Sequence, residues 1–267
     1  MDTKNQVEFQ ILDETEDFLV VDKPAGLLVH PTKPGGPKTL WNQLSDLLGY
    51  ELATGGRVSI VNRLDRETSG ILLVAKKAGA ARAAGLAMQR GEIRKEYLAL
   101  VFGWPEWDEK AIEGPIVRLG EVASSPVWLE RTVHPSGAPA LTLFRVERRL
   151  SLSRDRRFSL VRAWPRTGRT HQIRVHLASA GSPVLGDKIY SRGNRHYLNF
   201  IDHGWTDEMA TALWLPRHAL HSARLSMRLD GRMFDWTSPL PADLDSLVTK
   251  SDVFDIGCDR LSGNSWT

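Results

Sequence analysis

The chain has one cysteine, Cys258, in 267 residues. A lone thiol excludes an intrachain disulfide and argues against a cysteine-rich zinc site. No run reaches the ~18 apolar residues of a membrane-spanning helix. The start, Met1 to Glu8, is polar and lacks the apolar centre of a secretory signal. A cytoplasmic protein that engages no membrane is therefore expected. The sequence shows no repeat, low-complexity tract or clear linker. In the loop Lys33 to Lys38, Pro37 stands where a phosphate loop needs glycine, so that motif is rejected. Histidine spacing offers no metal site. His171 and His176 are roughly 140° apart around a helix, and His218 with His221 lacks a completing carboxylate or cysteine. No metal is expected.

What is present fits a soluble globular protein: 42% of residues are apolar and 25% charged. The length suits one large domain or two small ones. A folded chain of this size buries roughly three quarters of its unfolded surface. The net charge of +3 hides a strong asymmetry. Residues 1–17 carry six acids against Lys4, and residues 240–267 carry five aspartates against Lys250 and Arg260. Residues 145–174 carry ten arginines against Glu147 and Asp155, a net +8. None of the ten basic residues is lysine, and guanidinium suits phosphate forks, so a polyanion-binding face is expected over a merely solvated one.

Strand signals lie at Phe18–Asp22, Ile71–Ala75, Tyr97–Phe102, Leu141–Val146 and Phe158–Ala163, the last two split by a polar, arginine-rich link from Ser151 to Arg157. Helices are predicted at Thr39–Leu48, with Leu40, Leu44 and Leu48 four apart, and at Ala78–Arg90, stopped by Gly91. A third is predicted at Thr170–Ala180, with Ile173, Leu177 and Ala180 on one face and Gly181 as its stop. Strands often follow strands directly, which predicts α+β with a largely antiparallel sheet.

The most informative stretch is Asn62-Arg63-Leu64-Asp65-Arg66-Glu67-Thr68-Ser69-Gly70, which runs into the buried-strand signal Ile71–Ala75. An acid on a loop anchored to a buried strand is held rigidly, as catalysis requires. The residues alone allow a second reading, in which Asp65 caps a turn and the arginines are solvated.

This stretch resembles the His-Arg-Leu-Asp-x-x-Thr-Ser-Gly signature of RluA-type RNA pseudouridine synthases, with Asn62 in the histidine position. Three further blocks match that family in order. They are Asp22 to Pro31 (DKPAGLLVHP), Arg94 to Val101 (RKEYLALV), and Arg166 to His176 (RTGRTHQIRVH) followed by Gly186 to Tyr190 (GDKIY). A weaker match is Leu220 to Ser226. The resemblance implies a single α+β catalytic domain over residues 10–240, its largely antiparallel mixed sheet in two halves with flanking helices around a central cleft. Residues 241–267 are expected to be a peripheral tail. No room is seen before Asp22 for an N-terminal RNA-binding module.

The resemblance also implies the chemistry. Uridine-to-pseudouridine isomerisation is redox-neutral and needs no cofactor. Asp65 would start cleavage of the C1′–N1 bond, as nucleophile or as base. Arg174 would hold Asp65 ionised through a bidentate grip. Tyr97 would stack on the target uracil, a contact worth about 1–3 kcal/mol. Arg63 is a candidate to fill the space left by a flipped base or to hold a flanking phosphate. Arg66, Arg166 and Arg169 are candidate phosphate contacts and Ile173 a candidate substrate contact; Leu220 either lines the same pocket or is a core leucine, and Asn62 either contacts RNA or orients the loop that carries Asp65. The expected partner is structured RNA, transfer or ribosomal, bound by a monomer. The alternative is an RNA-binding or RNA-folding protein with weak or no activity. A glycosidase needs two carboxylates flanking the bond. Asp65 and Glu67 are the only close pair near the motif, and alternate residues of an extended chain point apart.

Overall fold

Apolar alternation builds the centre of the molecule. In the computed structural model, which describes residues 8–254, Leu19, Val21, Leu72 and Val74 join one buried cluster. Their neighbours Phe18, Val20, Ile71, Leu73 and Ala75 join another. Successive strand residues face opposite sides, so these two strands are covered on both faces.

In chain order the strands are β1 (Gln10–Glu14), β2 (Phe18–Lys23), β3 (Ser59–Ile60), β4 (Ser69–Ala75), β5 (Ile93–Phe102), β6 (Glu109–Glu113), β7 (Ile116–Arg118), β8 (Arg131–Val133), β9 (Leu141–Ser151), β10 (Arg157–Pro165), β11 (Leu220–Leu229), β12 (Arg232–Thr237) and β13 (Asp252–Phe254). The helices are α1 (Leu40–Leu47), α2 (Gly49–Ala53), α3 (Ala78–Gln89), α4 (Gln172–Ser179), α5 (Arg195–His203), α6 (Asp207–Leu213) and α7 (Ala242–Thr249). Eleven strands form one sheet in the order β1-β2-β4-β11-β5-β10-β9-β13, with β3 also on β4, β6 on β9 and β12 on β11. β7 and β8 pair separately. The β4–β11 pairing is parallel; the neighbouring β2–β4, β11–β5 and β10–β5 ladders are antiparallel. The fold is α+β with a mixed, mostly antiparallel sheet, as the sequence predicts.

Helices cover the faces for legible reasons. Thr39 caps α1 through the Asn42 amide N–H, and Leu40 and Leu44 are buried. On α3 the buried stripe is Ala80, Ala84 and Ala87, with helical spacing. α4 starts at Gln172, two residues later than predicted, because His171 takes a left-handed conformation with φ of 58°. β9 and β10 run longer than predicted, leaving only residues 152–156 as the link.

The expected peripheral tail requires correction for residues 241–254. Leu244 and Val248, one helical turn apart on α7, lie in the main core. β13 pairs with β9. Cys258 and the rest of that tail fall outside the described residues.

Candidate active site

The loop carrying Asp65 is fastened from three sides. From below, the amide of Asn62 bridges β4: its Nδ2 donates to Ile71 O at 3.1 Å and its Oδ1 accepts the Leu73 N–H at 2.7 Å. From the β2 side, the buried Lys23 Nζ donates to Pro24 O at 2.8 Å and to Leu27 O and Arg66 O at 3.0 Å. Burial pushes the Lys23 amine down to about 7 while Asp65 pulls it up. Three acceptors match the three protons of an ammonium, which favours the charged form. From the β11 side, His218 Nε2 meets Thr68 Oγ1 at 2.7 Å and His221 Nδ1 meets Ser69 Oγ at 3.0 Å. Glu67 is held by Lys188 Nζ at 2.6 Å and by the His218 N–H at 3.1 Å. Glycine is required where β4 meets β11. Gly70 has φ of 107°, and a Cβ there would lie 2.3 Å from Ser222 O.

Asp65 is a carboxylate held by one oxygen. Its Oδ2 accepts from Arg174 Nη1 at 2.8 Å. Its Oδ1 has no partner among the described residues, and the side chain keeps 29% exposure. The expected bidentate grip requires correction: the Arg174 fork closes on Asp187. Nε donates to Asp187 Oδ2 at 2.7 Å and Nη2 to Oδ1 at 2.9 Å. Asp187 is fully buried and also accepts the Ile189 N–H at 3.0 Å. Burial would raise the Asp65 carboxyl, but His171 and Arg174 overcome it and hold it below the usual range. The same contest, won by Arg174, lowers Asp187.

His171 stands on the other side of Asp65, with Nε2 3.9 Å from Oδ2. The Tyr190 hydroxyl accepts the Arg131 N–H at 2.9 Å, so its own proton points to His171 Nδ1 at 2.7 Å. That assigns the remaining imidazole proton to Nε2, facing the carboxylate. Burial, then Arg174, pushes His171 down to about 4. It is therefore neutral at pH 7, and Arg174 carries the lowering of Asp65 there. Tyr97, on β5 opposite Ser222 and Ala163, is 7% exposed. Burial pushes its phenol up to about 12, with a Ser222 hydrogen bond pulling it down, so it stays protonated.

The remaining expected site residues divide. Arg63, Arg66, Arg166 and Arg169 are exposed. Arg66 Nε donates to Gly26 O and Arg169 Nε to Pro139 O, leaving their terminal nitrogens free for phosphate. The structure favours the loop-orienting role for Asn62, and Ile173 and Leu220 belong to the same buried cluster as Tyr97. Asn62 is 4% exposed and uses both ends of its amide on β4. Ile173 and Leu220 lie in the main core. Sequence reasoning gave no role to Asp187, His171, Tyr190 or Lys23. Their one signal was membership in the matched blocks.

The family model for RNA pseudouridylate synthase matches residues 17–179. Ribosomal large subunit pseudouridine synthase D of Nitrosomonas europaea is 36% identical over 245 residues, 91% of this chain and 65% of that protein. Ribosomal large subunit pseudouridine synthase C of Pasteurella multocida is 37% identical, covering 92% of this chain and 68% of that protein. The chain thus spans about two thirds of the length of these relatives. Among solved structures, human RNA pseudouridylate synthase domain containing 1 superposes with a TM-score of 0.67 at 26% identity, over 95% of this chain and 92% of that one. The chain belongs to the RNA pseudouridine synthase family.

Proposed function

We propose that the chain isomerises specific uridines to pseudouridine in the RNA of the large ribosomal subunit, acting as a cytoplasmic monomer. One observation carries the reading. Asp65 is ionised and fixed through Oδ2, while Oδ1 meets no partner among the described residues and the side chain stays 29% exposed. A carboxylate gripped at both oxygens would be a structural ion pair; one gripped at a single oxygen can still act on substrate.

In the reaction the C1′–N1 bond breaks, the uracil turns, and a C1′–C5 bond forms. The hydrogen on C5 leaves and N1 gains one, so no electrons are exchanged. The free Asp65 oxygen attacks C1′ or takes a sugar proton. Arg174 stabilises the carboxylate without itself losing charge. Tyr97 offers an aromatic face that holds the cleaved base without fixing its rotation. The named relatives support ribosomal RNA as the target; transfer RNA is the second target class. The test is base-resolved pseudouridine mapping of total RNA from a deletion strain, with purified protein added back. Sites lost and restored in ribosomal RNA support the reading. Sites confined to transfer RNA change the target. No lost site and no restored modification favour an RNA-folding role.

A further inference from the structure

The ten arginines of residues 145–174 do not act as one face. Arg145 and Arg162 pair with Glu147, Arg149 with Asp108, and Arg174 with Asp65 and Asp187. Those charges are neutralised within the protein. Around the β9–β10 turn the pattern reverses. Arg154, Arg156 and Arg157 meet no carboxylate among the described residues, and neither does Arg192, which approaches the same turn from the segment after Tyr190. Aromatic rings take the place of acids. Arg156 lies over Trp214 at 4.7 Å, Arg157 over Trp104 at 4.5 Å and Arg192 over Phe102 at 5.9 Å. Trp214 is itself fixed edge-on against Phe102 and Phe158, with centroids at 5.2 and 6.3 Å.

These groups line an open surface pocket of about 490 Å³ formed by Phe102, Arg154, Asp155, Arg157, Arg192 and Trp214. One carboxylate against three lining guanidinium groups leaves it cationic. A guanidinium laid on a ring is oriented at low entropic cost, and its N–H edge remains available for bidentate phosphate binding. Phe102 ends β5, five residues from Tyr97, so the pocket is roughly 17 Å from the target base at ~3.4 Å per residue. That is too far for the target nucleotide itself. Tyr190, whose hydroxyl holds His171 beside Asp65, is two residues from Arg192, so one segment links the two places.

We propose that this pocket is a second RNA-binding site, which takes backbone phosphates of the strand outside the target loop. The inference rests on the proposed action on RNA. Its test reads affinity, not turnover, so that the two can fail separately.

The experiment compares Arg154→Gln/Arg157→Gln/Arg192→Gln with the parent chain, both carrying Asp65→Asn. A control triple, Arg82→Gln/Arg90→Gln/Arg228→Gln, removes the same charge elsewhere. Each is titrated with a short stem-loop of large-subunit ribosomal RNA and with the same loop extended on both flanks, over a series of salt concentrations. Three lost phosphate contacts should flatten the log–log salt slope for the extended RNA by about 2–3 and weaken it about tenfold or more at low salt. The short RNA should bind all three proteins alike. An inactive parent that binds extended RNA through the three arginines still supports the pocket. Equal slopes for the extended RNA, or equal losses in the control triple, overturn it. So does a pocket that binds a nucleoside triphosphate, with loss in the triple variant, while the extended RNA is unaffected.

Discussion

Arg174 is oriented by Asp187, which takes two of its nitrogens at 2.7 and 2.9 Å, and presents a third nitrogen to Asp65 at 2.8 Å. The rigid partner is the buried acid; the exposed acid is left one oxygen free. Gly186 makes this possible. Its φ is 73°, and a Cβ there would lie 1.8 Å from Arg217 O, so only glycine lets the Asp187 turn approach the segment that leads into β11. Arg174→Lys should therefore fail although charge is kept, because an ammonium cannot span both carboxylates in this geometry. The expected result is a large fall in single-turnover rate with RNA affinity mostly kept. Weak binding with a normal rate at saturating RNA would make Arg174 a phosphate contact instead.

Asp187→Asn removes one charge from a buried pair and leaves Arg174 partly uncompensated. Breaking such a pair costs about 3–5 kcal/mol. Urea unfolding should show a loss of that order, and the rate of the remaining folded protein should drop because Arg174 is no longer aimed. A variant as stable as the parent would mean that Arg174 finds another anchor.

Asp65→Asn keeps the shape of the side chain and loses the charge that, on the proposed function, starts the reaction. At least ~3 kcal/mol of barrier should be added, a hundredfold or more in single-turnover rate. RNA affinity and unfolding midpoint should change little, since Asp187 still fixes Arg174. Residual activity above about a hundredth of the parent would remove Asp65 from the chemistry.

The buried histidines set the acid limit of stability. In the fold His171 titrates at about 4, but in the unfolded chain it would take a proton near its ordinary 6.5. The unfolded state then binds the extra proton between those values. Stability is thus full above about pH 6.5 and falls as pH drops toward 4. At pH 5 this one residue should account for about 2 kcal/mol. His176, His218 and His221 are lowered by burial too and act in the same direction. His171→Asn tolerates the left-handed backbone and cannot titrate. It should narrow the difference in unfolding free energy between pH 7 and pH 5 by about 2 kcal/mol. An unchanged difference would mean that His171 is charged in the fold.

Where local chemistry decides structure, the sequence was readable. The leucines of α1, the alanine stripe of α3 and the apolar run of β4 each carry their own periodicity, and each forms where expected. Asp65 is legible as a candidate through the loop it sits on and Arg174 through the block around it, and the structure pairs the two. What was not readable depends on long-range pairing. Asp187 is thirteen residues beyond Arg174 and 122 beyond Asp65. Nothing local says that it will outcompete Asp65 for the guanidinium fork. The docking of α7 is illegible for the same reason: the Leu244 and Val248 stripe is short, and its burial follows from the core surface it meets. Composition makes the arginine run look uniform; that Glu147 neutralises Arg145 and Arg162, and Asp108 neutralises Arg149, is set by the fold.

Asn62 is the sharpest departure from the family signature, and its geometry says what the position does. Its amide donates to Ile71 O and accepts from the Leu73 N–H, both on β4, so it ties the entry of the Asp65 loop to the strand that follows. Neutral imidazole also offers one donor and one acceptor. Asn62→His should therefore leave the single-turnover rate within a few-fold, and the pH–rate profile should gain no step near 6.5. Asn62→Ala leaves the buried Leu73 N–H without its side-chain partner, at about 1–3 kcal/mol, while Ile71 O keeps the Ser222 hydroxyl. It should lower stability by about that amount while the folded fraction keeps most of its RNA affinity. A hundredfold rise in rate for Asn62→His, with a new titration in the imidazole range, would make position 62 chemical. The Asn62 protein would then be an impaired enzyme, and RNA folding would become its better description.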